Sequence, residues 1–456
     1  MTLRVLEFND VGIRVSDDSG VLFSSPGYAL VNGKRIEFGE RARQQSRLNP
    51  LHCYNQFWHK LNLDAFSRPV AHYRHNADIA FSHLQDLAAA TELQGDVLLA
   101  VPGSFSRQQL AILLGLIKQC SFRAVGIVDS GLAAAIDQTH SDSVIHADLQ
   151  LHQVVLSKLT RQGSEMVRES VVQVPGTGWV NLSDSLLQLM NAAFIQQARF
   201  NPQHNAESEQ MLLDGLPGWL RDDPLAAVNG QGGAAPGADD EEARRNLLIS
   251  LRHNNSVHQA RLPRSSLHTR LQPFYQKIQQ QLTLLDPEGR SRLLVSDRLQ
   301  HLPGFHEEFG RQGGRISTLT EDAIGAACLR YHEVLRSAPE AVHFVTRLRA
   351  LGAQDAAAPN HVVTQPHPTH ALIGHSARPL LDGLLLQRLL PAAAGEVIQG
   401  EIVSDGEHHS LRNASANVLI NGAAVRPLQR LELGDRVQLV GSDHGFELIR
   451  VQHGDE

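Results

Sequence analysis

The chain has 456 residues, 42% hydrophobic and 20% charged, which is enough apolar material for a large core and too much length for one ordinary domain. Its 41 basic and 48 acidic residues give a formal charge of −7, and the basic residues are scattered, which excludes a nucleic-acid partner held by bulk charge. Cys53, Cys120 and Cys328 offer neither CxxC metal spacing nor a disulfide framework.

The first forty residues read as a meander of strands: Leu3, Val5 and Leu6, then Ile13 and Val15, then 21–23, then 36–38. Turn signals at 18–20 and at Asn32-Gly33 separate them. This alternating start lacks the apolar stretch of a signal peptide. The stretch 380–390 is broken by Asp382, Gln387 and Arg388, short of the roughly 18–20 apolar residues that span a membrane. A cytoplasmic protein without a membrane partner is expected. A strand at 96–101 ends at Pro102-Gly103 and leads into a helix capped by Ser106, with Leu110, Leu113, Leu114 and Ile117 on its apolar face. A second strand, 123–128, stops at Asp129-Ser130-Gly131 before an alanine-rich helix.

The pattern then repeats. Strands near 144–148, 154–159 and 166–174 form another meander, a helix is predicted from about Leu182, and a strand at 292–296 precedes helical segments through Arg349. Two successive units of this kind predict a duplicated α/β core. Residues 201–221 read as an apolar helical insertion, with Trp219 the natural interaction anchor where that face is exposed. The stretch 229–240 (NGQGGAAPGADD) reads as a surface loop and 352–368 as a linker. Beyond it come short strands at 371–373, 400–403, 417–420, 437–440 and 446–451. With the hairpin signal Asn421-Gly422 and the tight turn Leu433-Gly434-Asp435, they predict a small all-β domain over 369–456.

Four segments occur in a telling order: Gly39-Glu40-Arg41-Ala42 through Asn49-Pro50; Leu99-Ala100-Val101-Pro102 with Phe105 and Gln108; Val128-Asp129-Ser130-Gly131 through Ala135; and Ala323-Ile324-Gly325-Ala326-Ala327. Together they resemble the ATPase domain of DnaK-type heat-shock chaperones, in the actin/DnaK superfamily. The resemblance implies two ribonuclease-H-like lobes, here 1–140 and 141–351, with ATP and magnesium between them. Such a cleft needs glycine turns that let phosphate approach backbone N–H groups, and carboxylates that position magnesium and the attacking water.

The family's first phosphate turn, Asp-Leu-Gly-Thr-Thr, matches Glu7-Phe8-Asn9-Asp10-Val11; the acid is kept, but the glycine is Asn9 and a hydroxyl residue is Asp10. A carboxylate added there repels triphosphate. The second turn, Asp-Leu-Gly-Gly-Gly-Thr, matches Asp148-Leu149-Gln150-Leu151-His152-Gln153, where the acid survives and every glycine is lost. The adenosine turn, Gly-Gly-Ser-x-Arg, matches Leu294-Val295-Ser296-Asp297-Arg298, again without glycine. Phe57, Trp58 and His59 displace the family's lysine to Lys60. Only Gly176-Thr177-Gly178 still reads as an anion-binding turn. The resemblance thus implies a degenerate cleft. Glu7 and Asp148 are its catalytic candidates if it is active, and Asn9, Gln150, Gly176, Thr177, Gly178, Ser296 and Arg298 its nucleotide contacts. No cofactor is expected, with ATP and magnesium bound only if the cleft works.

The C-terminal segments Ala371-Leu372-Ile373-Gly374-His375-Ser376, Asn417 through Gly422, and Leu431 through Leu439 resemble a forkhead-associated domain, a β-sandwich that reads phosphothreonine peptides. The family's Gly-Arg is here Gly374-His375, and its Ser-Arg-x-His-Ala segment is replaced by Ala392-Ala393-Ala394-Gly395-Glu396, so the arginine fork for phosphate is missing. His375, Asn417 and Asn421 remain as interaction candidates for a protein surface.

The 24 histidines invite a metal site or a pH sensor. They do not gather at ligand spacing: His367-Pro-Thr-His370 lies in a proline-containing linker, His408 and His409 diverge on a strand, and His332-Glu333 lacks a second histidine. No Gly-x-Ser-x-Gly elbow, Walker loop or dinucleotide fingerprint occurs. The expected protein is a DnaK-like pseudo-ATPase that scaffolds another protein. The alternatives are an active ATPase with non-standard phosphate loops and an actin-like polymerising protein.

Overall fold

The computed structural model describes the chain except residues 1–2, 34, 69, 139–140, 222–244, 311–315, 338–341, 352–367, 374–375, 381, 391–397, 405–408, 427, 441–444 and 450–456. The 229–240 loop, His375 and nearly all of the 352–368 linker lie outside the described residues. The chain is mixed α/β and divides into two compact units, Met1–Gln354 and Asp355–Glu456.

In the first unit the opening strands are β1 (Arg4–Glu7), β2 (Ile13–Asp17) and β3 (Gly20–Ser25), an antiparallel meander. The next strands leave this sheet. β4 (Ala29–Asn32), β5 (Arg35–Phe38) and β6 (Cys53–Tyr54) form a small sheet of their own, with α1 (Gly39–Arg43) between β5 and β6 in the chain. α2 (Asn76–Thr91) precedes β7 (Gly95–Val101), α3 (Arg107–Ile117), β8 (Phe122–Asp129) and α4 (Ser130–Ala135). β7 and β8 are parallel to β1 and almost wholly buried, hence their unbroken apolar runs. α3 starts at Ser106 in a full capping box: Ser106 Oγ accepts from Gln109 N (3.2 Å) and Gln109 Oε1 accepts from Ser106 N (2.9 Å).

The second meander is β9 (Ser143–Leu149), β10 (Gln153–Gln162) and β11 (Glu165–Pro175). α5 (Trp179–Ala198), α6 (Ala206–Arg221), the hairpin β12 (Asn246–His253) and β13 (Ser256–Pro263), and α7 (Arg264–Leu285) pack over one face of that sheet. Then come β14 (Arg292–Val295), parallel to β9, α8 (Asp297–Gln300), α9 (Phe305–Gly310) and β15 (Ile316–Thr318), parallel to β14. α10 (Ala323–Arg330) crosses back to the first sheet, where Gly325 lies so close to Ser16 that an added Cβ would meet its side chain at 2.9 Å. With the late strands β16 (Phe344–Val345) and β17 (Arg347–Arg349), the two large sheets run β16-β8-β7-β1-β2-β3 and β15-β14-β9-β10-β11-β17, so each places meander, then two parallel strands, in the same order.

The end of the unit stitches both sheets. β16 (Phe344–Val345) pairs with β8 of the first sheet and β17 (Arg347–Arg349) with β11 of the second, with only Thr346 between them. Thr346 O accepts from Arg168 N (2.9 Å), and Arg168 also bonds Asp129 across the sheets at 2.6 Å.

The second unit holds β18 (His370–Ile373), β19 (Ser376–Pro379), β20 (Leu384–Leu385), β21 (Glu401–Ser404), β22 (His409–Arg412), β23 (Val418–Ile420), β24 (Ala423–Ala424), β25 (Gln429–Arg430), β26 (Arg436–Leu439) and β27 (Gly445–Ile449). They form two antiparallel sheets, β19-β18-β27-β26-β23-β24 and β20-β21-β22-β25. Ala371, Ile402, Leu411, Val418, Phe446 and Leu448, drawn from both sheets, bury into one cluster. The Asn421-Gly422 hairpin forms, with φ of 52° and 79°, the left-handed pair that a two-residue turn needs.

Candidate functional site

Glu7 ends β1, Asp148 sits one residue before the end of β9, and Ser296 and Arg298 follow β14. Parallel neighbours end on the same side of a sheet, so these residues and the turns after them converge at the carboxyl edges of both large sheets. Four sequence-predicted residues meet there directly. Asn9 Nδ2 donates to both oxygens of Asp148 (2.9 and 2.8 Å) and to Leu149 O (3.0 Å), while Asn9 Oδ1 accepts from Val11 N (2.9 Å). Arg298 donates to Glu7 Oε1 at 3.0 Å and to Gly12 O at 2.8 Å. Ser296 Oγ accepts from Leu149 N at 3.4 Å.

Sequence reasoning left out several partners. Arg14, on β2, forks onto Asp297 (3.0 and 2.5 Å), donates to Glu321 O (3.0 Å) and stands 3.8 Å from Glu7 Oε1. Asp10 Oδ1 accepts from Leu151 N at 2.7 Å, tying the first turn to the second. A charged Arg14 inside a strand otherwise buried along its length was the available signal, since buried charges come with partners.

The electrostatics follow from burial. Asp148 is pushed up to about 7, first by desolvation, with Glu7 and Asp297 adding to it and Arg298 and Asn9 opposing. Burial also raises Asp10, against the pull of its Leu151 bond. Asp297 is only partly buried, and the Arg14 fork and Arg298 outweigh the desolvation and hold it below the usual carboxylate range.

The Gly176-Thr177-Gly178 turn spends its polar groups inside the protein. Thr177 Oγ1 donates to Val174 O (2.6 Å) and accepts from Val154 N (3.0 Å). Gly176 N donates to His152 O, Trp179 N to Gln150 O and Val180 N to Leu151 O, at 2.9–3.1 Å. Carbonyls of the second turn thus take the N–H groups that open α5. A Cβ on Gly178 would lie 2.3 Å from the backbone of His152 and Gln153, so the glycine serves this contact.

What space remains is a cavity of about 90 Å3 between Phe8, Trp58 and Phe105 on one side and Gln150 and Gln153 on the other. Nucleotide-sized ligands occupy sites of roughly 300–1,000 Å3. Magnesium-bound ATP does not fit these residues: the cavity is too small, and two guanidiniums stand within 3.8 Å of Glu7 Oε1, where a divalent cation would have to sit.

Farther out, α6 meets the residues after α1. Gln210 Oε1 accepts from Arg47 N (2.8 Å), Gln210 Nε2 donates to Arg43 O (3.1 Å), Arg43 pairs with Asp214 (3.1 Å), and Arg47 pairs with Asp184 and Glu209. Trp219 is half-buried and turns back on Gly215, packing against the second core.

Among the histidines, His83 accepts from Trp58 Nε1 at 3.0 Å, and an indole can only donate, so its proton sits on Nε2 and faces Ser25 Oγ at 2.8 Å. That tautomer cannot draw a proton from Ser25. Burial pushes His83 down to about 3 and His146 to about 4. Among the described residues no group of three or more His, Cys, Asp or Glu side chains could hold a metal ion, and no helix is long and apolar enough to cross a membrane.

In the second unit Asn421 works on its own fold: its Nδ2 donates to Asp435 (2.7 Å) and its Oδ1 accepts from Arg436 N (2.9 Å). Asn417 precedes β23 and is half-buried, and its carbonyl accepts from Val440 N at 2.8 Å. A scan against family models and a search of curated proteins return no match for the chain.

Proposed function

We propose that the protein is a cytoplasmic, DnaK-like pseudo-ATPase, a two-lobed body held closed without nucleotide that serves as a scaffold or adaptor for another protein. The common strand order of the two large sheets supports reading each as a ribonuclease-H-like lobe. The two antiparallel sheets around one apolar cluster support reading the second unit as a forkhead-associated-like sandwich used for protein contact.

One observation carries the proposal: the carboxylates that an ATPase of this kind would reserve for magnesium and water are bound by the chain's own Arg298 and Asn9. The β16–β17 stitch works in the same direction. A hinge between lobes needs freedom where the chain crosses, and here two consecutive short strands pair one with each sheet.

Calorimetric titration with ATP and magnesium tests the reading. No saturable heat and no phosphate release are expected. Micromolar binding that disappears in Glu7→Ala or Asp148→Ala overturns it.

A further inference from the structure

The small cavity has a chemistry of its own. Gln150 and Gln153 are 5% and 4% exposed, and Gln153 Nε2 donates to Gln150 Oε1 at 3.0 Å. That pairing uses one end of each amide. Gln150 Nε2 and Gln153 Oε1 have no hydrogen-bond partner among the described residues, and neither is among the polar atoms sealed in protein, so both meet the cavity that the two residues line. Exchanging O and N in both amides leaves the same inventory, one donor and one acceptor.

Water completes the two half-used amides in the free protein, so a ligand that takes its place must supply both an acceptor and a donor. Phe8 and Trp58, edge to face at 5.4 Å, and Phe105 supply the apolar walls. The cavity, about 90 Å3, has room for several waters or for one small polar group. That is room for the three heavy atoms of a carboxamide, the group that presents a donor and an acceptor side by side. Asp10 also lines the cavity and disfavours an anion there.

We infer that this cavity is a receptor for one carboxamide, the side chain of an asparagine or glutamine presented by the protein partner. The inference rests on the scaffold reading above and names the chemistry by which that partner is held.

Acetamide is the probe, followed by saturation-transfer NMR on the full chain, with acetone and acetate as controls. The expected result is saturable transfer to acetamide with a dissociation constant on the order of 1–10 mM, as suits four heavy atoms. Acetone, which lacks the donor, and acetate, which is charged, bind at least tenfold more weakly. Gln150→Leu abolishes the preference for acetamide over acetone. Ser104→Tyr, which adds bulk at a residue lining the cavity, blocks all three while leaving the buried glutamines intact. Equal binding of acetone and acetamide, tighter binding of acetate, or no saturable acetamide signal each overturns the inference. An ATP titration on the same sample separates the two ideas: nucleotide binding removes the scaffold reading, whereas a silent cleft without acetamide binding removes only the carboxamide site.

Discussion

Removing the Arg298 guanidinium is the perturbation to which a self-closed cleft is most sensitive. Arg298 and Glu7 side chains are 8% and 4% exposed and 3.0 Å apart, and Arg298 also holds Gly12 O at 2.8 Å. Arg298→Met keeps the aliphatic stem and strands Glu7, with Arg14 the nearest cation at 3.8 Å. Stranding one member of a buried pair costs about 3–5 kcal/mol. Arg14 recovers part of this, which sets the expectation at about 3 kcal/mol. Glu7→Gln in the same background removes the stranded charge, so the double variant recovers stability relative to Arg298→Met, with a coupling of about 1.5 kcal/mol or more. Urea unfolding followed by tryptophan fluorescence reads this out, because Trp58, Trp179 and Trp219 all lie in the first unit. A loss below about 1 kcal/mol, or additive single effects, would mean that the pair is solvated and does not close the cleft.

Asp148 gives a pH signature. Its folded pKa near 7 lies above the ordinary carboxylate value, so its contribution is present in full below about pH 4 and lost as pH rises through 7. Asp148→Asn therefore gains on wild type between about pH 4 and 7, by at most about 1.4 kcal/mol per pH unit, and the gain levels off above pH 7; parallel stability curves contradict this. Two glycines separate contact from conformation. Gly178→Ala forces a Cβ into backbone at 2.3 Å and costs about 2 kcal/mol or more, whereas Gly176→Ala costs about 1 kcal/mol through its φ of 71°, the reverse order in thermal melts being the contrary result. Gln210→Ala removes two bonds, one from α6 to the end of α1 at Arg43 and one to Arg47 just after it, and costs about 1–3 kcal/mol. Hydrogen exchange then rises at residues 43–49, and unchanged protection there would show that the contact is incidental.

The elements most legible in the sequence were those whose local signals agree with their packing. Ser106 and Gln109 spell a capping box, Asn421-Gly422 forms its hairpin, and the doubly buried β7 and β8 read as apolar runs. α2 lacks a strong periodic signal because its buried face mixes three alanines and His83 with Ile79, Leu84 and Leu87. The hairpin β12–β13 escaped for want of a glycine turn; Asn254 and Asn255 adopt φ of 46° and 60° in its place. β4 and β5 were read into the first meander because turn signals mark where strands end and not which sheet they join.

At the site, the loss of glycine from each turn was visible, and so were Glu7 and Asp148. What filled the space was not. Which acid Asn9, Arg14 or Arg298 reaches depends on contacts across 139 to 291 residues of sequence, and no spacing rule spans that distance.

The central claim is that the chain's own side chains stand where nucleotide would bind. Titration of the wild-type protein with ATP and magnesium, with heat measured to millimolar nucleotide, tests it most directly. The account predicts no saturable heat, and none after Arg298→Met loosens the cleft; a micromolar dissociation constant for the wild type, lost in Asp148→Ala, contradicts it.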